Sequence, residues 1–237
     1  MTADPLVLVP GLLCDARVFQ PQITAISARR AVHVTPPSAR STLSKMAETL
    51  LGQAPPRFAL AGHSMGGIIA LEMMDLAPER ISRLALMDTN FLAESPAAAA
   101  GRDVQIASAK AGQLKRVLSD ELGPKYLGEG PERGTILRAL IEMGLALGPD
   151  VFAAQSEALR RRRDLGHVLD KIRVPTLVLC GEGDRLCPMS RHELMAARIP
   201  NAKLEIIAGA EHFPMLEQPE ATTAALQRWL TDALVLS

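Results

Sequence analysis

Aromatic side chains are scarce in this sequence: one Trp, one Tyr and five Phe among 237 residues. A cage of rings for a carbohydrate or a quaternary amine is therefore not expected. Cysteine is nearly absent as well. Cys14, Cys180 and Cys187 are odd in number and lack metal-ligand spacing, which argues against a disulfide framework and a zinc site. No charge of one sign prevails, because 26 basic residues face 26 acidic ones, and no global attraction to nucleic acid follows. Long apolar runs are missing too. The first is cut by Pro10 and Gly11 after four residues, no basic leader precedes it, and none approaches the roughly 18 residues of a spanning helix. A cytoplasmic protein without a membrane partner is the expectation.

What is present is an ordinary globular composition, at a length that suits one sizeable domain or a domain with an insertion. Six short apolar runs read as buried parallel strands: "LVLV" (6–9), "AVHV" (31–34), "FALA" (58–61), "LALM" (84–87), "TLVLC" (176–180) and "KLEII" (203–207). Continuous apolarity, rather than alternation, is expected where helices cover both faces of a sheet. Helical composition fills intervals between them, at 66–76 before Pro78, at 190–198 and at 217–234. Strand and helix in alternation predict an α/β fold with a mostly parallel sheet of about six strands. Residues 92–169 break the pattern. They hold no strand, only Ala-, Leu-, Glu- and Arg-rich stretches cut by Gly123-Pro124, Gly130-Pro131 and Gly148-Pro149. A structureless loop of that length is uncommon, so three or four helices forming a cap are expected. The division is a core of 1–91 and 170–237 with a cap insertion of 92–169.

Within "LAGHSMGGIIAL" (60–71), Ser64 stands between Gly62 and Gly66 after a strand and before a helix. At such a turn the serine is strained and exposed, and the positive end of the helix favours developing negative charge. A serine hydroxyl is a poor nucleophile without a base, and the base needs an orienting group. Of five histidines, His33 reads as packed in an apolar strand, His63 as turned away from the nucleophile, and His167 and His192 as surface residues. His212 lies just past the last strand, on the sheet edge where Ser64 also emerges, and is the expected base. For the acid, Asp184 in "LCGEGDRLCP" follows a strand directly, with Glu182 and Asp88 as competitors. Asp184 is preferred because the order Ser64, Asp184, His212 suits this architecture. The expected oxyanion donors are the N–H groups of Met65 and of Leu12, beyond the Pro10-Gly11 turn.

The chain resembles α/β-hydrolase fold enzymes over essentially its whole length, with "VPGLLCD", "GHSMGG", "GEGDRLCP" and "GAEHFPMLEQPE" in the family's order and approximate spacing. It looks most like small capped members: pimeloyl-carrier-protein methyl ester esterases, enol-lactonases and the carbon–carbon lyases of menaquinone synthesis. The resemblance implies a triad of Ser64, Asp184 and His212, oxyanion amides at Leu12 and Met65, and chemistry that requires no metal or organic cofactor. Two departures stand out. Pro10-Gly11 replaces the common His-Gly, and the chain starts at what would be the third strand of the full family sheet, so two edge strands are expected to be missing.

The expected reaction is hydrolysis of short or medium acyl esters through an acyl-enzyme, a carboxylesterase activity. The same triad could open lactones, cleave thioesters, perform perhydrolysis or serve a lyase in which His212 acts alone. The fold also hosts ligand-binding proteins without turnover. In the cap, Ile136, Leu140, Met143 and Leu145 could line an acyl pocket, although such a stripe is more often internal packing. The run Arg160, Arg161, Arg162 and Arg163 reads either as a solvated helix face or as a dock for an acidic carrier protein or an anionic substrate.

Overall fold

The computed structural model describes residues 3–231. Six parallel strands form one sheet: β1 (Leu6–Val9), β2 (Val32–Val34), β3 (Phe58–His63), β4 (Ile81–Met87), β5 (Thr176–Gly181) and β6 (Ala202–Ile207). Their order is β2-β1-β3-β4-β5-β6, with Leu8 opposite Ala61 and Leu60 opposite Leu84 in the centre. The chain leaves β1 to one side for β2 and returns to the other for β3. That reversal opens a crevice beyond the carboxyl ends of β1 and β3, where open α/β sheets receive ligands.

The side-chain period of two sorts the strand residues between two cores. Val7, Val9, Leu60, Leu84, Leu86 and Val178 pack on one face beneath α2 (Leu43–Gln53), α3 (Met65–Leu76) and Met195 of α9 (Met189–Arg198). Leu6, Leu8, Ala59, Ala61, Ala85, Leu177 and Leu179 pack on the other, under α1 (Gln20–Ser27) and α11 (Pro219–Thr231). Burying each larger side chain contributes on the order of 1.5–3 kcal/mol, and both faces are covered only at the centre. The two outer strands depart from the expected double burial. His33 is exposed rather than packed, and Leu204 is 37% exposed, because β2 and β6 are the edges of this sheet.

Between β4 and β5 the chain forms α4 (Pro96–Ser108), α5 (Leu114–Arg116) between two π-helical turns, α6 (Gly123–Tyr126), α7 (Arg133–Arg160) and α8 (Gly166–Leu169). This is more fragmented than three or four helices. Gly112 takes φ 82, and α7 is kinked where Gly148 takes φ 86 before Pro149, which has no N–H to continue the ladder. The excursion has its own apolar cluster of Ala109, Leu114, Val117, Leu118, Leu122 and Phe152, which Leu13 of the loop after β1 joins. The expected terminal helix is divided into α10 (Pro214–Glu217) and α11 at Pro219, and its expected end at 232–234 lies outside the described residues. No helix among the described residues is long and apolar enough to cross a membrane.

Candidate active site

Ser64 occupies the joint between β3 and α3 with φ 54 and ψ −119, a conformation L-residues avoid. Close backbone approach enforces it. A Cβ on Gly62 would sit 2.2 Å from the carbonyl oxygen of Gly66, and one on Gly66 would sit 2.0 Å from that of Val9. Only glycine fits at either place. The Ser64 N–H donates to the Met87 carbonyl at 2.9 Å, and the Thr89 hydroxyl donates to the Ser64 carbonyl at 2.7 Å. The turn is thereby tied to the end of β4.

The loop after β6 brings His212 to this point. Its Nε2 lies 2.9 Å from Ser64 Oγ, and its Nδ1 lies 2.8 Å from Asp184 Oδ2. Both His212 and Asp184 are shielded from solvent. Because Asp184 accepts from Nδ1–H, the Nε2 lone pair is left to face the serine hydroxyl. The other carboxylate oxygen accepts the N–H groups of Leu186 and Cys187 at 2.8 and 2.9 Å. Burial pushes the Asp184 pKa up, but the imidazole and these two N–H bonds outweigh it and hold the carboxyl below its ordinary range. The group is thus favoured as an anion directly against the imidazole.

The competing acids are placed elsewhere. Glu182 is exposed and accepts the Gly209 N–H at 3.3 Å. Asp88 is fully buried, and its Oδ1 accepts the Gly181 N–H at 2.8 Å. Burial first and the Asp184 charge second push its pKa well up, which disfavours a second negative charge beside Asp184. His63 does not bond to Ser64. Its Nε2–H donates to the His212 carbonyl at 2.7 Å, and burial lowers its pKa to about 3. His167 is exposed near Asp75, as a surface residue. His192 is not a surface residue. It is wholly buried, and its Nε2 accepts the Thr89 N–H at 3.0 Å, because α9 packs against β5 and β6 beside the loop that follows β4.

Several supports escaped sequence reading. The Glu217 carboxylate accepts N–H groups of Glu211 and Phe213, each at 3.0 Å, and so clamps the His212 loop. The Tyr126 carbonyl accepts the His212 N–H at 3.1 Å while its ring stacks on the imidazole, centroids 5.5 Å apart. Gln155 of α7 is buried; its Oε1 accepts the Leu13 N–H at 2.8 Å and its Nε2 donates to Ser38. A signal for Gln155 existed: it is a polar residue on the face of α7 that Phe152 and Leu159 bury.

A cavity of about 300 Å³ opens at Ser64, lined by Leu12, Met65, Ile68, Thr89, Leu159 and Leu186 among others. The Met65 N–H is one of the first four of α3, which no intrahelical carbonyl reaches. Leu12 and Met65 thus border the same space as Ser64 Oγ. The four expected cap residues do not line it. Ile136 and Met143 are spent on the core, Leu140 borders a smaller gap beside Tyr126, and Leu145 is 44% exposed because it falls on the outer side of α7. The arginine run is not a free cationic patch: Arg161 and Arg163 are solvated, as a surface face would be, but each arginine is paired within the chain. Arg160 and Arg161 pair with Glu157, Arg162 with Glu94, and Arg163 with Glu72 and Asp75, and only Arg162 is withdrawn from solvent, since α7 ends at Arg160 and the residues beyond it do not continue one helix face.

Asp184, Cys187 and His212 hold their potential ligand atoms within 4.8 Å of one another. They do not suit a metal ion, because Asp184 and His212 are bonded to each other and burial keeps the Cys187 thiol protonated. Burial pushes Cys14 and Cys180 up to about 12 as well, so none of the three thiols is readily ionised.

Residues 48–219 match the sequence model of the alpha/beta hydrolase fold family. The pimeloyl-[acyl-carrier protein] methyl ester esterase of Edwardsiella ictaluri is 30% identical over 236 residues, covering 93% of this chain and 91% of the relative. That of Aromatoleum aromaticum is 27% identical over 90% of this chain and 87% of its own. Among solved structures, a thermophilic esterase from Thermogutta terrifontis superposes with a TM-score of 0.87 at 27% identity, covering 97% of this chain and 90% of that one.

Proposed function

The chain belongs to the α/β-hydrolase fold family, and on that premise we propose that it is a serine esterase acting through an acyl-enzyme on Ser64. Ester hydrolysis is the activity by which its relatives are named. The observation that carries the reading is the unbroken chain from Asp184 through His212 to Ser64 Oγ, ending at the floor of a cavity.

The steps follow from the geometry. His212 Nε2 takes the Ser64 proton as Oγ attacks the ester carbonyl, and Asp184 offsets the positive charge that forms on the ring. The tetrahedral oxyanion lies against the N–H groups of Leu12 and Met65, each of which contributes about 2.7–4 kcal/mol that appears only in the transition state. The alcohol leaves with the proton from His212. Water, activated by the same imidazole, then releases the acid. A cavity near the lower end of the ~300–1,000 Å³ range of ligand sites favours short to medium acyl groups. A carrier-linked methyl ester, the substrate named for two relatives, is a larger member of the same class. The in-chain pairing of Arg160, Arg161 and Arg163 withdraws support from the arginine run as its dock.

The purified protein is expected to hydrolyse p-nitrophenyl butyrate and to gain one fluorophosphonate adduct on Ser64 by mass spectrometry. Ser64→Ala should lose both. Hydrolysis that survives Ser64→Ala, or an adduct elsewhere, would overturn the assignment.

A further inference from the structure

The cavity beside Ser64 is unevenly charged. Arg102 of α4, Arg162 after α7 and Arg191 of α9 line it, and the only carboxylate lining it among the described residues is Glu94, in the loop after β4. Glu94 is 5% exposed and lies between Arg102 Nε at 2.6 Å and Arg162 Nη2 at 2.9 Å. Arg162, itself 8% exposed, also donates from Nε to the Leu92 carbonyl at 2.9 Å. One negative charge thus meets three positive ones, leaving an excess of two on one wall.

The unspent donors lie on the same wall. Arg191 is half-buried, and its guanidinium has no hydrogen bond or ion pair among the described residues; neither do the two Nη groups of Arg102. A guanidinium away from bulk water is costly unless an anion meets it, and its planar fork fits a carboxylate better than any neutral group. Glu94 does not serve this need for Arg191: it pairs with Arg102 and Arg162, and no ion pair joins it to Arg191. The same cavity holds the nucleophile, so an anion on this wall and an ester at Ser64 belong to one small molecule.

We propose that Arg191, with Arg102 and Arg162, forms a carboxylate subsite, and that the preferred substrate is a short ester bearing a free carboxylate, such as a half-ester of a dicarboxylic acid. The proposal rests on the esterase reading of the same cavity. The acid end fixes the molecule against the arginines and sets the ester carbonyl over Ser64. A neutral diester of the same length leaves the charge excess unmatched.

The test compares monomethyl glutarate with dimethyl glutarate. The wild type should favour the half-ester by roughly tenfold or more in kcat/KM, a charge-assisted contact's usual discrimination. Arg191→Gln should collapse that ratio by raising KM for the half-ester, and Arg191→Lys should restore part of it. In parallel, Ser64→Ala protein is titrated calorimetrically with glutarate, with inorganic phosphate and with 4′-phosphopantetheine. Glutarate binding that weakens when Arg191→Gln is added supports the subsite. An unchanged half-ester preference in Arg191→Gln, or glutarate affinity indifferent to it, overturns the proposal. Tighter binding of 4′-phosphopantetheine than of glutarate overturns it too, in favour of a carrier's phosphate arm. If neither ester turns over, the esterase reading fails, while glutarate binding to Ser64→Ala still decides the subsite.

Discussion

His192→Gln isolates one buried histidine as a source of acid sensitivity. The ring is wholly buried, and its Nε2 accepts the Thr89 N–H, so the fold demands the neutral form. Burial lowers its pKa from 6.5 to about 4. The sign follows directly. Between those values the unfolded chain takes up a proton that the folded chain refuses, so stability is full above about 6.5 and declines as the pH falls towards 4. At pH 5 the unfolded ring lies 1.5 units below its own pKa, and at about 1.36 kcal/mol per unit the loss is about 2 kcal/mol. The whole molecule's slope is a sum: His63 adds to the loss, while Asp88, with its raised pKa, opposes it. Comparison with His192→Gln removes these shared contributions, because the amide retains an acceptor for Thr89 but no titrating group. Urea unfolding at pH 7.5 and pH 5 should show the wild type losing about 2 kcal/mol more than the variant over that interval. Parallel losses would falsify the assignment of a neutral, buried imidazole.

Two further perturbations address the site itself. Gln155→Leu leaves the Leu13 N–H buried without its acceptor, at a cost of about 1–3 kcal/mol in a denaturant melt; because Leu12 is next in the chain, kcat on p-nitrophenyl butyrate should fall roughly tenfold or more with KM little moved. Equal effects on kcat and KM would refute a link to the oxyanion loop. Asp184→Asn should reduce kcat by about 10⁴, since the imidazole loses its tautomer and its counter-charge, whereas Asp88→Asn should cost less than tenfold. Steady-state kinetics that reverse this order would make Asp88 the orienting acid.

The architecture was legible where local chemistry repeats. Short continuous apolar runs marked all six strands, and the sharp turn at Ser64 was readable because Gly62 and Gly66 leave no room for a Cβ. The limits have a physical source too. His33 looks buried in "AVHV" and is exposed, because a run of letters does not say whether its strand is central or at an edge. His192 looks like a surface residue of a polar helix and is buried, because the docking of α9 on β5 and β6, beside the loop after β4, is a tertiary event. The charges of Arg162 and Glu94 lie 68 residues apart, so their pairing leaves no local mark. Leu140 and Met143 carry the helical spacing of a pocket wall, and the same spacing serves packing equally well.

The excursion between β4 and β5 is better understood as part of the site's framework than as a cover laid upon it. The loop after β1 is held from that side twice: Leu13 inserts into the apolar cluster around Leu118 and Phe152, and its N–H is accepted by Gln155. The loop that carries His212 is held there as well, by the Tyr126 carbonyl and ring. Hydrogen bonds from the core alone fix Ser64 and Asp184, through Met87, Thr89, Leu186 and Cys187. The sheet therefore presents Ser64 and Asp184. The loop after β1 leans on the inserted helices, while the His212 loop is held from both sides, by Tyr126 of the insertion and by Glu217 and His63 of the core, and a site that needs sub-ångström placement inherits the packing of both parts.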